Sequence, residues 1–105
     1  MNQLSLTARV VQVQPMRYTP AGLPVLDLVV EHASTVIEAG VNRTIEMTLN
    51  AVALGDTAHH LAGTPMGTGL LIQGFLAPAR KSSGKLVVHI LTARRTDAGT
   101  DPVVA

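Results

Sequence analysis

The amino-acid sequence predicts an all-β fold, a five-stranded barrel with a short helix between the third and fourth strands. Two observations carry the prediction. Five stretches alternate apolar and polar residues with a period of two, the pattern of strands with one face buried. Between the third and fourth of them, one stretch instead places apolar residues at helical spacing. With 105 residues, 47% of them hydrophobic and 14% charged, the chain has the material for one packed domain, assigned to residues 1–95.

The first strand begins at Leu4. Leu4, Leu6, Ala8 and Val10 alternate with Ser5, Thr7 and Arg9, after which the apolar phase slips to Val11 and Val13. Such a slip predicts a bulge or bend, which lets one strand serve both halves of a folded sheet. Pro15 ends it. Residues 15–24 hold three prolines and Gly22 and read as a loop without regular pairing, carrying Arg17 and Tyr18. Leu26, Leu28 and Val30 mark a second strand, with Asp27, Val29 and Glu31 on its other face. Residues 32–42 read as a long connection. The third strand spans residues 43–51, with Ile45, Met47 and Leu49 inward and Thr44, Glu46, Thr48 and Asn50 outward. Leu54, Ala58 and Leu61 share one helical face, Asp56 is placed to cap the helix start, and Gly63 and Pro65 stop it.

A hairpin over residues 69–94 supplies the last two strands. Leu70, Ile72 and Leu76 share one face of the fourth, and Leu71, Gln73 and Phe75 take the other. Leu86, Val88 and Ile90 oppose Val87, His89 and Leu91 on the fifth. The loop between them holds Arg80, Lys81 and Lys85, with Gly84 as its permissive residue. Three cations on one loop form a positive tip on a chain of net charge only +1. Such a tip is either a solvated turn or a phosphate-contacting loop. From residue 96 on, Asp97, Gly99, Asp101 and Pro102 read as a flexible tail, residues 96–105. The element order matches the OB-fold barrel, which binds oligonucleotides on strands two and three and on the loops after strands one and four. An SH3-like barrel or a small open sandwich is the alternative.

The composition also excludes. Near-zero net charge argues against a strongly basic non-specific binder but leaves room for a local positive groove. With no cysteine there is no disulfide framework and no thiolate metal site, which fits a cytoplasmic protein. Met1-Asn2-Gln3 shows no signal-peptide pattern, and no apolar run approaches a membrane span. His59 and His60 are adjacent on a helix and point about 100° apart. His32 and His89 lack a third ligand at recognisable spacing, so no metal is expected. No nucleophile triad, phosphate-binding loop, paired carboxylates or dinucleotide turn is present. The chain reads as a non-enzyme that needs no cofactor.

Several stretches resemble the PriB family of bacterial replication-restart proteins, primosomal replication protein N. They are Asn2-x-Leu4-x-Leu6, Pro15-x-Arg17, Pro20-x-Gly22-x-Pro24, Glu31-His32-x-Ser34, Glu38-Ala39-Gly40 with Arg43, and Gln73-Gly74-Phe75 followed by a basic loop and Val88-His89. The likeness runs in order from residue 2 to about 92, and its middle block is the most specific part. It implies an OB-fold homodimer that binds single-stranded DNA and works with the restart helicase and other primosome proteins. It also implies that Arg17, Arg43 and Phe75 fall on DNA-face positions, and that Arg80 and Lys85 fall on lysine positions of the loop, with Lys81 a neighbour. The chain departs from the family's better-known members at three places. Glu46 stands where they carry tryptophan, Val41 where they carry an aromatic residue, and Ala33 where they carry arginine. Each aromatic platform lost removes roughly 1–3 kcal/mol of stacking per base.

The candidate DNA-binding residues are therefore Arg17, Tyr18, Arg43, Phe75, Arg80, Lys81 and Lys85. Phe75 either stacks a base or packs in a dimer interface or under a loop, and Tyr18 either stacks a base or anchors its loop. Arg94 and Arg95, at a strand end, are left out. Leu71, Val87 and Leu91 on the second face of the hairpin call for cover, which supports a homodimer. Two functions compete: a single-stranded DNA binder of replication restart, and a protein-interaction module that contacts a helicase with residual DNA binding. An RNA-binding barrel of the cold-shock type is disfavoured, because the clustered aromatics it needs are absent.

Overall fold

The computed structural model describes residues 1–96. Six strands and one helix follow in order: β1 (Leu4–Val13), β2 (Arg17–Tyr18), β3 (Pro24–Glu38), β4 (Val41–Leu54), α1 (Asp56–Leu61), β5 (Gly69–Pro78) and β6 (Leu86–Arg95). The sheet order is β1-β5-β6-β4-β3-β2, and β1 also pairs with β3. That second pairing closes five strands into a barrel, with the helix between β4 and β5.

β1 behaves as its pattern predicts. Its first half pairs with β5 from Leu4↔Gly74 to Arg9↔Gly69, and its second half pairs with β3. The β3 register jumps between Val10 and Gln12, so Val11 is the bulged residue, 36% exposed. The bend re-aims Val13, which packs against the core. Ala8, Val10, Leu26, Leu28, Val30 and Ile72 fill the interior, with Ala51, Ala53, Leu70, Val88 and Ile90. Ala58 and Leu61 of α1 join the same cluster. The helix starts later than its spacing suggests. Leu54 ends β4 and is 42% exposed, the N-cap is Gly55 with no side-chain cap, and Asp56 sits in the first turn instead. Thr64 is buried and donates its hydroxyl to the Leu61 carbonyl at 2.6 Å, satisfying one of the helix's last acceptors.

The largest correction concerns residues 32–42, expected as a long connection. They are strand up to Glu38 and again from Val41, joined by a two-residue turn. β3 and β4 stay paired from Val25↔Leu54 to Glu38↔Val41. Ala39 (φ 53°) and Gly40 (φ 77°) both take the left-handed conformation, the geometry that matches strand twist in a tight hairpin. Alanine is a poor residue for that position, so the turn carries only half its usual signal. Pairing of β3 with β1 ends at Arg9↔Glu31, and seven further pairs reach the tip, from His32↔Met47 to Glu38↔Val41. The β-ribbon therefore projects about 24 Å from the barrel, and the longest dimension of the chain is 50 Å. Ile45 and Met47 have inward parity but lie on this arm, where Met47 is 36% exposed.

Two smaller corrections apply. Within residues 15–24, Arg17 and Tyr18 do pair, with Val25 and Pro24 of β3. In the β5–β6 hairpin, Gln73 faces Thr92 while Gly74 faces Ile90, so Leu91 is bulged out. Leu76 (38% exposed) and Leu86 (56%) lie beyond the barrel interior. The predicted tail lies, from residue 97, outside the described residues. Thr96 still donates its backbone N–H to Gly69 at 2.9 Å.

Candidate nucleic-acid interface

Outward-facing residues form a row across the barrel. Phe75 on β5 stands opposite His89 on β6, His89 lies beside Val52 on β4, and Val52 is opposite Asp27 on β3. Arg17 on β2 completes the row, donating from Nε to one Asp27 carboxylate oxygen at 2.6 Å and from an Nη to the other at 3.3 Å. The Phe75 and His89 rings stack, with centroids 4.8 Å apart and planes 11° apart. Both are half-buried, and Val52 is only 9% exposed despite pointing outward.

Gly74 makes this row possible. A Cβ built there lies 1.8 Å from the His89 carbonyl oxygen, so only glycine allows β5 and β6 to approach at the bulge. The Gln73-Gly74-Phe75 stretch thus has a steric cause. Arg17 has its charge answered within the chain. The hydrogen bond to Asp27, and then the carboxylate's charge, raise its pKa. Both partners are solvent-exposed, so the pair adds little stability while reducing the attraction Arg17 offers a phosphate.

The arm has two faces. His32, Ser34, Val36 and Glu38 of β3 pair with Met47, Ile45, Arg43 and Val41 of β4 and continue the inner face of the barrel. Ala33 pairs with Glu46 and Glu31 with Thr48 on the outer face. Arg43 therefore points away from the face that carries Glu46, and its Nη1 donates to a Glu38 carboxylate oxygen. His32 braces the arm's base. Its Nδ1 donates to the Thr7 carbonyl at 2.6 Å, and its Nε2 meets the Ser34 hydroxyl at 2.8 Å. The bond to Thr7 ties β1 to the arm just past the last β1–β3 pair, and the bond to Ser34 fixes the ring from within β3. The Glu31-His32-x-Ser34 stretch is thus explained by architecture.

The cationic loop, residues 79–85, is closed by bonds from the Ala79 N–H to the Lys85 carbonyl (2.8 Å) and from the Ser83 N–H to the Arg80 carbonyl (2.9 Å). Arg80, Lys81 and Lys85 are exposed, and no carboxylate among the described residues pairs with them. β4 and β6 run parallel with Ala51 beside Val88, so the residues before Leu86 lie at the same end of the barrel as the arm. Tyr18, 60% exposed, sits beyond Arg17 toward the opposite end, opposite Pro24. The structure thus brings Arg17 and Phe75 into one row and gathers the three loop cations. It places Tyr18 at one end and Arg43 on the other face of the arm. His89 is the row member that sequence reasoning weighed only as a metal ligand. Its position across from Phe75 follows from the register that runs unbroken from the loop, Pro78↔Leu86 to Gly74↔Ile90, ahead of the shift at Leu91. Among the described residues, no group of three or more His, Asp or Glu is placed to hold a metal ion. No helix among them is long and apolar enough to cross a membrane.

Comparison with known proteins gives consistent matches. Residues 2–92 match a family described as another single-strand binding protein family. Replication restart protein PriB of Bordetella pertussis is 55% identical over 106 residues, which cover 99% of both chains. The PriB of Nitrosomonas europaea is 33% identical over 93 residues, 89% of this chain and 86% of its own. Among solved structures, PriB from Ralstonia solanacearum superposes with a TM-score of 0.83 at 35% identity, covering 90% of this chain and 97% of that one. The single-stranded DNA binding protein of Thermus aquaticus shares the fold, with a TM-score of 0.74 at 24% identity, covering 93% of this chain and 51% of that one.

Proposed function

Because the chain belongs to the PriB family of replication restart proteins, we propose that it binds single-stranded DNA as a non-catalytic accessory of the restart primosome. The observation that carries this reading is the loop of residues 79–85, where Arg80, Lys81 and Lys85 are exposed and lack carboxylate partners among the described residues. Phosphates of a single strand are the ligand such a tip attracts, and the outward row with Phe75 offers bases an adjacent surface. Arg17 contributes at the far side of that row and Tyr18 beyond it, and Arg43 contributes from the arm. We place the protein in the cytoplasm as a homodimer that assists the restart helicase without a cofactor.

A second reading has specific support. Glu31 and Glu46 occupy the outer face of the arm, and Arg17 and Arg43 are already paired, which favours a protein-interaction barrel with residual DNA binding. Anisotropy titration of a labelled single strand, with and without a restart helicase, separates the two. The DNA-binding reading expects saturable binding by the protein alone, stronger for single strands than for a duplex of equal length. Binding that emerges only with the helicase present transfers the function to the interaction module.

A further inference from the structure

We propose that His89 is a DNA-contacting residue that forms, with Phe75, a stacked pair of rings whose free face extends the stack to one base of the single strand. This deepens the single-strand reading and rests on it. A solitary phenylalanine offers one base a small apolar face. Here a second ring lies nearly parallel at 4.8 Å, on the outer surface of the barrel, with both side chains partly open to solvent. Gly74 holds the two strands at the spacing that permits the stack, since any side chain there collides with the His89 carbonyl. The same hairpin carries the three loop cations between these two rings, Arg80 five residues after Phe75 and Lys85 four residues before His89. A strand whose phosphates meet that loop has its bases within reach of the platform. Stacking is sequence-tolerant, because every base has a π-face.

The imidazole adds what a second phenylalanine would not. Its ring nitrogens offer hydrogen bonds to a base edge or a phosphate that a benzene ring lacks. Its surroundings carry little charge. Phe75 faces it from β5, with Gln73 and Ala77 at the adjacent outward positions, and Val52 faces it from β4. Asp27 and Arg17, beyond Val52, are paired with each other. Val87 and Leu91 flank it on β6. The helix α1, which meets β6 at Leu91 through the Thr57 hydroxyl, carries Asp56, His59 and His60.

The test compares an oligo(dT) strand with an abasic strand of equal length and charge. The parent protein is expected to prefer oligo(dT) by about tenfold. His89→Ala and Phe75→Ala, each confirmed folded by its thermal transition, should bring that ratio close to one without altering the salt dependence. His89→Phe keeps two rings, so it should retain the preference. If His89→Ala keeps the full preference, or the parent binds both strands equally, the platform is overturned while single-strand binding stands. If the parent binds neither strand, the single-strand reading itself falls and the platform with it.

Discussion

The β3–β4 arm and the β5–β6 hairpin leave the barrel at the same end, and they differ in how they finish. The arm stays paired to Glu38↔Val41 and turns in two residues. The β5–β6 ladder stops at Pro78↔Leu86 and opens into seven residues. The arm spends its cation on an internal partner, Arg43 with Glu38, and presents Glu31 and Glu46 outward. The hairpin keeps Arg80, Lys81 and Lys85 unpaired among the described residues and sets an aromatic stack at its base. Similar backbone devices thus offer a polyanion opposite things. Side-chain content, rather than the shared topology, sets the charge that each hairpin presents.

The strongest way to break this comparison is to strip the loop. Replacing Arg80, Lys81 and Lys85 by alanine should weaken single-strand binding by about 100-fold at 0.1 M salt. The slope of log K against log salt should move from near −2 toward zero, at about −0.7 per phosphate. Stability should stay within about 0.5 kcal/mol. Anisotropy across a salt series reads both quantities, and an unchanged slope would return the attraction to the arm or the barrel face. A smaller effect is expected from giving the arm what it lacks. Glu46→Trp adds a stacking surface and removes a repelling charge, so binding should tighten about tenfold. An unaltered dissociation constant would show that the outer face of the arm does not meet the strand. The smallest effect concerns the turns. Ala39→Asn suits the left-handed position better than alanine and should raise stability by ~0.5–1 kcal/mol. A rise of roughly 2–6 °C in the thermal midpoint checks it. No change would mean that Ala39 sits there without strain.

Much of the barrel was legible because its strands alternate in a packed interior. The phase slip in β1 announced the bulge at Val11, and Leu26, Leu28, Val30, Ile72 and Val88 are buried as their spacing requires. Legibility failed where burial stops deciding which residue goes where. On the arm both faces meet solvent, so residues 32–42 carry no alternation, and an Ala-Gly turn lacks the usual hairpin signal. The candidate site could be named by residue type from the sequence, but its arrangement could not. Which cations are already paired depends on Arg17 reaching Asp27 and Arg43 reaching Glu38. The Phe75–His89 partnership depends on where the ladder closes at the loop, Pro78↔Leu86, which fixes the register between their strands.

The arm also bears on how the chain behaves in a crowded solution. Beyond Arg9↔Glu31 on one side and Ala51↔Val88 on the other, no strand among the described residues covers its edges. Both margins of a two-stranded ribbon stand open, next to a β-branched run in which Ile37 is 75% exposed and Val36 42%. Open edges of that composition are templates for adding another chain's strand, the first step of aggregation. Glu46 lies on this ribbon opposite Ala33, and a charge beside an open edge disfavours pairing with another strand. A carboxylate on the ribbon thus also guards its open edge against the strand of another chain.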